Sequence, residues 1–501
     1  MTHPFKGKDQ RLNYDAIIVG SGAGGSAAAY QLTQTGHSVL LIEKGLALPR
    51  DGSTLDTDKV MRQGLFMSDE AWLDRQGQIV VPEEHFNLGG KTKWYGAALL
   101  RFAPDEFGSD PEHQCLPWPF SYDELVPFYE EAEELLAVQN FPLEAGFHAL
   151  SSALARRDPT WRRQMLALGL TRDILAYPEE AQHFDAFASV RGLKRDAETA
   201  LLDRVKNKPN LTIITGKAVA ALAPAHAQAD RVVGVVCEDG TRFEANNVLL
   251  AAGALHSPRL LQSYMERNGL AEKLPSYRQV GRNYKSHVLT ALLALSHRRV
   301  DDVLCKTALL LSERFPHSSV QTLGGTLASD IIATQLPPWL PRRLTRLIGS
   351  RVYGLFLQTE DGSHADNRVL AKVNGRDRPR LDYDPGRLAP AVEEHRRLVR
   401  MLSRQLLGLG YLPLVKAIPL SGTAHACGTL VAGNDPATSV VDADGKVHGL
   451  ENVYVVDGSV LPRSSRVNPA LTIYAWGLRV ASRLQVDRRR ESERTVSLHP
   501  E

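Results

Sequence analysis

Apolar residues fall along this chain in short runs of two kinds. Residues 16–19 (Ala-Ile-Ile-Val) and 39–42 (Val-Leu-Leu-Ile) are continuous and carry several β-branched residues, the pattern of strands buried in a parallel sheet. Between them, residues 26–36 are Ala-rich, lack proline and end in Gly36, which predicts a helix closed by glycine. Further on, Leu125, Phe128, Tyr129, Ala132 and Leu135 recur at helical spacing over an acidic face within residues 123–137. Ser121 to Glu124 reads Ser-x-x-Glu, a capping box for that helix. Residues 138–194 read as mixed helix and loop. Residues 211–215, continuing through 216–220, read as strand. Residues 231–238 and 241–245 form a hairpin about Asp239-Gly240. Residues 247–253 are another buried strand, ending in Gly253 and running into a helix with Pro258 in its first turn. Residues 289–295 and 352–358 are apolar strands among charged turns, and 389–407 form an amphipathic helix rich in Arg and Leu. Residues 453–456 are a buried strand, 470–484 a final helix, and the charged stretch 487–501 is expected to fray.

This order predicts an α/β fold, α+β overall. A Rossmann-like dinucleotide domain is interleaved with a second domain of antiparallel sheet plus helices. The first domain takes residues 11–103, 195–285 and 421–486. The second takes 104–194 and 286–420, and 487–501 form a flexible tail. A length of 501 residues exceeds one hydrophobic core and agrees with two domains.

Composition narrows the class. Hydrophobic and charged contents of 43% and 23% are those of an ordinary globular protein, and a net charge of +2 gives no pull toward nucleic acid. Cys115, Cys237, Cys305 and Cys427 are scattered without a CxxC, which argues for a reducing, cytoplasmic setting and against a zinc site or disulfide framework. No apolar run approaches about 18 residues, and the polar start up to Asn13 lacks a signal-peptide core. Within residues 337–351, Leu340, Leu344, Leu347 and Ile348 share one helical face with arginines off it. That face suits an ordinary helix of the second domain, or contact with a membrane surface or partner.

The chemistry begins after the first strand, with Gly20-Ser21-Gly22-Ala23-Gly24-Gly25. In a Gly-x-Gly-x-x-Gly turn, Gly20 permits the tight bend, Gly22 keeps a Cβ away from a pyrophosphate, and Gly25 lets the helix approach the strand. The phosphates then meet the free N–H groups of the helix N-terminus. Glu43, at the end of the second strand and followed by Lys44, stands where a ribose-binding carboxylate belongs. Strand, turn, helix, strand and acid together predict dinucleotide binding. Gly89-Gly90-Lys91-Thr92-Lys93-Trp94 sets a glycine pair beside hydroxyl and aromatic groups. It suits either a backbone pressed on a flat ligand or a simple turn. The strand ending in Asp457-Gly458 offers a carboxylate to a ribityl or pyrophosphate hydroxyl. The helix after Pro469 directs its positive end at whatever lies above Asn468.

These stretches, with Gly253-Ala-Leu-His-Ser-Pro258, Val280-Gly-Arg-Asn283, His287 and Ser421 to Leu484 (containing His425-Ala-Cys-Gly-Thr429), resemble the glucose–methanol–choline (GMC) oxidoreductases. The likeness is nearest to gluconate-dehydrogenase-like and pyranose-oxidase-like members. It implies FAD-dependent oxidation of a sugar, polyol or other primary or secondary alcohol, with hydride transfer to flavin N5. By resemblance, His425 is the catalytic general base and Asn468 its partner on the substrate oxygen. Val219 pairs its backbone with adenine, and Asp457 and Gly458 contact FAD, as do Ala252 and the glycine-rich residues above.

A neutral imidazole can take the hydroxyl proton near working pH, which is why the base is sought among histidines. His256 and His448 read as structural, and His287 as a domain-crossing residue. The chain departs from the family in two places. No histidine stands in the Gly-Gly stretch, so FAD is expected to be non-covalent, and Tyr264-Met265 replaces the usual Ser-Gly of the second signature. Oxygen, a quinone or a cytochrome could take the electrons. Two other readings remain at this stage: an NAD(P)-dependent dehydrogenase, and the flavoprotein subunit of a membrane-associated, cytochrome-linked dehydrogenase.

Overall fold

The structure, a computed structural model, describes residues 13–335, 347–372 and 378–497. Most of the 337–351 segment singled out above lies outside them. In chain order the main elements are β1 (Asn13–Val19), α1 (Ala23–Gln34), β2 (Val39–Ile42), α2 (Val126–Leu135), β3 (Trp161–Met165), β4 (Leu211–Ile214), β5 (Val219–Ala225), β6 (Gln228–Cys237) and β7 (Arg242–Leu250). They continue with α3 (Gly253–Arg267), β8 (Val288–Leu295), β9 (Ala308–Ser312), β10 (Ser318–Thr322), β11 (Val352–Thr359), α4 (Ala389–Gly408), β12 (Leu412–Ala417), β13 (Val453–Val455) and α5 (Ala470–Ser497).

The first sheet runs in the order β4-β2-β1-β7-β6-β5, with β13 also paired to β7. Strands β4, β2, β1, β7 and β13 are mutually parallel. Their apolar runs are buried as expected: Ile17, Ile18, Leu40, Leu41, Val248 and Leu249 have no exposed surface. Each such side chain contributes about 1.5–3 kcal/mol of transfer free energy, and parallel strands covered on both faces collect it fully. The second arm of the expected hairpin and the buried strand after it are one element, β7. Its first half pairs antiparallel with β6 (Val235 opposite Phe243) and its second half parallel with β13 (Leu249 opposite Tyr454). Asn246, which separates the two expected elements, continues the strand because Asn452 Nδ2 donates to its carbonyl and β1 pairs with the residues on either side.

The second sheet, β12-β8-β11-β10-β9-β3, is antiparallel throughout. Helix α4 packs against it through Leu398, Leu402 and Leu406, so the sheet keeps its other face for the site. Together the two sheets give the α/β architecture expected, a Rossmann-like sheet interleaved in sequence with an antiparallel one.

Three local expectations are corrected. Ser121 makes no side-chain cap; residues 122–124 form a 3-10 turn, α2 starts at Val126 beside Pro127, and Glu124 pairs with Arg479. Pro258 lies inside α3 rather than in its first turn. The Ala254 carbonyl, which a proline cannot serve as donor, accepts the Thr429 hydroxyl at 2.7 Å. Finally, α5 continues to Ser497, past the expected end at Leu484. The Arg- and Glu-rich run 488–494 favours helix and carries no glycine or proline to stop it.

Candidate active site

Gly20 and Gly25 take the geometry that their spacing predicts. Gly20 turns at φ +104, and a Cβ on it would lie 2.4 Å from the Ala251 carbonyl oxygen. A Cβ on Gly25 would lie 2.1 Å from the Gly20 oxygen, which is the close helix–strand approach. A Cβ on Gly22 would meet nothing within 4 Å. The first turn of α1, starting at Ala23, has neither a capping side chain nor an acidic residue. Its free N–H groups and the space over Gly22 fit the pyrophosphate of a dinucleotide.

Glu43 is buried behind this turn. Its Oε2 accepts from the Ser21 N–H (3.0 Å) and hydroxyl (2.6 Å). Its Oε1 accepts from the Gly45 N–H at 2.9 Å and keeps acceptor capacity, as a ribose hydroxyl requires. Burial raises the Glu43 carboxyl above the usual range, and the bonds from Gly45 and Ser21 act against that. The Ser21 hydroxyl in turn accepts the Gly89 N–H at 3.0 Å, so the Gly89-Gly90 stretch lies directly over the fingerprint. A Cβ on Gly90 would come 3.1 Å from Gly22 Cα.

Other cofactor candidates have protein partners. Thr92 links Gly89 to Ala197 (2.6 and 3.0 Å). Lys93 is buried between Asp196 and Glu198, and Trp94 donates to Asn87 Oδ1 and stacks on His85. Lys44 pairs with Glu70 over the Phe86 ring. Val219 opens β5 opposite Cys237, and the Ala252 N–H donates to Ser257 at 3.0 Å. Asp457 differs from expectation. Its oxygens accept from the Gly253 N–H, the Ser257 hydroxyl, and the Ser459 N–H and hydroxyl, which fills its acceptor positions. The carboxylate therefore ties β13 to the start of α3 instead of reaching for a ribityl hydroxyl. Gly458 accepts the Gly428 N–H at 3.1 Å, which anchors the His425 loop to the same turn.

The second half of the site comes from a single β-bridge. Lys285 and Cys427 exchange backbone bonds (3.0 and 2.9 Å) in antiparallel sense. His287, two residues after one partner, is thereby set opposite His425, two residues before the other, with ring centroids 4.9 Å apart. His287 has φ 65, held because Asp361 accepts the N–H groups of Ser286 and His287. Its Nε2 lies 2.8 Å from the Ser465 carbonyl oxygen, so Nε2 carries the hydrogen.

Asn468 Nδ2 lies 3.2 Å from His425 Nε2. The segment leading to Asn468 is fixed from three sides. Glu106 accepts the Ser465 hydroxyl and the Arg466 N–H, both at 2.8 Å. Glu360 accepts the Ser465 N–H and forms a buried bidentate pair with Arg463. The second sheet supplies Ser319 and Gln358, both donating to the Arg466 carbonyl, and Gln321, which donates to Asn468 Oδ1. The Pro469 carbonyl then accepts the Ile473 N–H at 3.1 Å and opens α5. Opposite, Lys91 of the Gly-Gly stretch pairs with Glu84 and donates to the Thr423 carbonyl at 2.8 Å, which ties the His425 loop to the cofactor cradle.

His425 and Asn468 both keep part of their surface open. Burial holds the His425 imidazole well below the ordinary histidine range, and the charges of His287, Lys306 and Lys91 push the same way. Burial also lowers His287. His425 is therefore neutral at pH 7, and accepting an N–H from Asn468 fixes the lone pair on Nε2. On the far side of Glu360, which both histidines contact, His113, His317 and Glu394 approach one another. The two rings stack face to face at 3.6 Å and 10°, so their in-plane lone pairs run parallel and do not converge on one ion.

Sequence reasoning singled out His425 and Asn468 by resemblance and read His287 as a structural, domain-crossing residue without setting it beside His425, and it passed over Lys91, Gln321 and Gln358. The contact of the two histidines depends on the Lys285–Cys427 bridge, which no local pattern announces. Gln358, a single glutamine in the apolar strand β11, is an oddity that could have been noticed, whereas Gln321 stands among serine and threonine in β10.

Comparison with known proteins identifies the family. A family model described as FAD dependent oxidoreductase matches residues 15–293, and one described as GMC oxidoreductase matches residues 379–477. The chain is 30% identical to a paromamine 6'-oxidase of Streptomyces fradiae over 96% of its own length and 93% of that protein's. It is 28% identical to a 6'''-hydroxyparomomycin C oxidase of Streptomyces lividus, covering 95% and 92%. Pyridoxine 4-oxidase from Mesorbium loti shares the fold with a TM-score of 0.63 at 19% identity, covering 94% of this chain and 99% of that one. From the dinucleotide turn at one end to the His425–Asn468 segment at the other, the chain belongs to the GMC oxidoreductases, enzymes that depend on FAD.

Proposed function

We propose that the protein oxidises an alcohol group of a small polyhydroxy, sugar-like substrate to the carbonyl, with His425 as general base, Asn468 as the group that orients the substrate oxygen, and FAD held non-covalently. The observation that carries this reading is the 3.2 Å approach of Asn468 Nδ2 to His425 Nε2. A hydroxyl needs both an acceptor for its hydrogen and a donor for its oxygen. The neutral Nε2 lone pair and the Asn468 N–H offer the two side by side.

The chemistry supplied by FAD, when bound, is that of a two-electron acceptor for the carbon-bound hydrogen. The chain's own residues handle the proton and the oxygen. His425 takes the hydroxyl proton at Nε2, and the Asn468 N–H holds the oxygen as negative charge develops there. The fingerprint N–H groups would hold the pyrophosphate at the middle of the dinucleotide, and Glu43 a ribose hydroxyl beside it. Gly89 to Gly96 contains no histidine, which supports non-covalent binding. The sugar-like substrate class is supported by the two aminoglycoside-acting relatives named above.

The test is anaerobic reduction of the purified flavoprotein with a panel of amino sugars, sugars, polyols and aliphatic alcohols, alongside His425→Ala. Bleaching by a sugar-like alcohol, slowed roughly 10²–10⁴-fold in the variant, is the expected result. A variant within about threefold of the parent would remove His425 from the base's role.

A further inference from the structure

Behind the His425–Asn468 pair lies a third side chain. Gln321 sits in β10, on the sheet face it shares with Ser319 and, across the register, with Phe356 and Gln358 of β11. It is 1% exposed. Its Nε2 donates to Asn468 Oδ1, while its own Oε1 is buried with no hydrogen-bond partner.

A primary amide has two unlike ends, and which end Asn468 shows to His425 decides what the pair can do. With the N–H toward His425, Nε2 must hold a lone pair. A substrate hydroxyl can then donate into Nε2 and accept from Asn468. With the oxygen toward His425, Nε2 must carry a hydrogen. The imidazole could then not take the proton, and the Asn468 oxygen would repel the oxygen from which the proton leaves.

The buried surroundings favour the first arrangement. It leaves one acceptor, Gln321 Oε1, and one N–H, that of His425 Nδ1, without a partner. Turning both amides over would leave Nδ1 a lone pair but strand the two N–H groups of Gln321 Nε2, one more than before, and buried unpaired N–H groups are the rarer and costlier kind. The charged and titratable groups that bear on His425 are His287, Lys306 and Lys91. Lys306 is paired with Asp185 and Lys91 with Glu84. Phe356 closes another side, its ring centroid 6.1 Å from that of His425.

We infer that Gln321 is a positioning residue that sets the hydrogen-bond polarity of the site, running from its own N–H to Asn468 and from the Asn468 N–H to His425 Nε2, and so holds His425 in the tautomer able to receive the alcohol proton. The inference rests on the reading of His425 as the base.

Two measurements on the holoenzyme test it. The first is histidine-selective isotope-edited NMR, with the His425 signals identified by their loss in His425→Ala. The hydrogen is expected on Nδ1 in the parent, with a mixed population in Gln321→Met. A parent His425 carrying its hydrogen on Nε2, or a tautomer unchanged in Gln321→Met, overturns the inference. The second is a double-mutant cycle on kcat. Gln321→Met should lower kcat between about tenfold and 10²-fold with KM little changed. The same change in an Asn468→Ala background should cost less than about twofold, because Gln321 acts only through Asn468. Losses that multiply would assign Gln321 a merely structural role. If no alcohol is oxidised but the parent tautomer is Nδ1–H and mixes in Gln321→Met, the failure belongs to the proposed reaction and not to Gln321.

Discussion

His287 and His425 face each other edge to face, ring centroids 4.9 Å apart at 71°, because each stands two residues from one side of the Lys285–Cys427 bridge. Burial keeps both imidazoles below the ordinary histidine range, and a proton on either would raise the cost of one on the other. A base with a depressed pKa is already unprotonated at neutral pH and stays so as pH falls through about 6.5. The rate of alcohol-dependent flavin reduction, as kcat/KM, should therefore stay level through that value and fall only further into acid. An acid limb at or above about 6.5 would show that His425 is not held neutral in this way.

Two neighbouring glycines should separate cofactor binding from folding. A Cβ at Gly22 meets nothing, whereas one at Gly24 would fall 1.5 Å from the Val456 carbonyl oxygen. Gly22→Ala should leave the thermal midpoint of the cofactor-free chain within experimental error and lower its FAD occupancy. Gly24→Ala should cost about 3 kcal/mol or more, since α1 must move off β13. Calorimetry of the apo proteins and flavin absorbance after reconstitution would check both.

Thr429 has a backbone duty. Its hydroxyl is the partner of the Ala254 carbonyl that Pro258 cannot serve. Thr429→Val keeps the shape and leaves that carbonyl unpaired, so it should destabilise by about 1–3 kcal/mol. Urea unfolding followed by tryptophan fluorescence would read the difference.

His395, held between the hydroxyls of Thr290 (2.8 Å) and Thr359 (2.9 Å), is lowered by burial to about 4. Its unfolded value is about 6.5, so between the two values the unfolded chain binds the extra proton. The stability this residue contributes is whole above about 6.5 and is lost progressively as pH falls toward about 4, up to roughly 3 kcal/mol. His395→Gln should flatten the pH dependence of stability over that window. A dependence as steep as the parent's would mean that other groups account for it.

What could be read from the chain follows from distance along it. The β1–α1–β2 unit and Glu43 are local patterns whose spacing suggests their chemistry, whereas His425 and Asn468 stand out only through the resemblance of their short motifs to the family. The joining of two predicted strands into β7 was hidden because its partner changes midway, from antiparallel β6 to parallel β13, while the local pattern changes with it. The expected reach of Asp457 failed because Ser257, far off in sequence, supplies one of the donors that fill its carboxylate. Gln321 escaped notice for the same reason: its meaning lies wholly in Asn468, and only the packing of the second sheet on the 465–468 segment brings the two together.

The contact between α1 and α5 bears on how the enzyme is made. A Cβ on Gly477 would lie 2.5 Å from the Gly24 oxygen, so the last helix seats directly on the helix that opens the dinucleotide turn. Strand β13 and α5 come from the opposite end of the sequence to β1 and α1. During synthesis the nascent chain holds its glycine-rich turn long before it has the pieces that cover it. A product truncated before β13 would therefore leave α1 without the strand end and the helix that cover it.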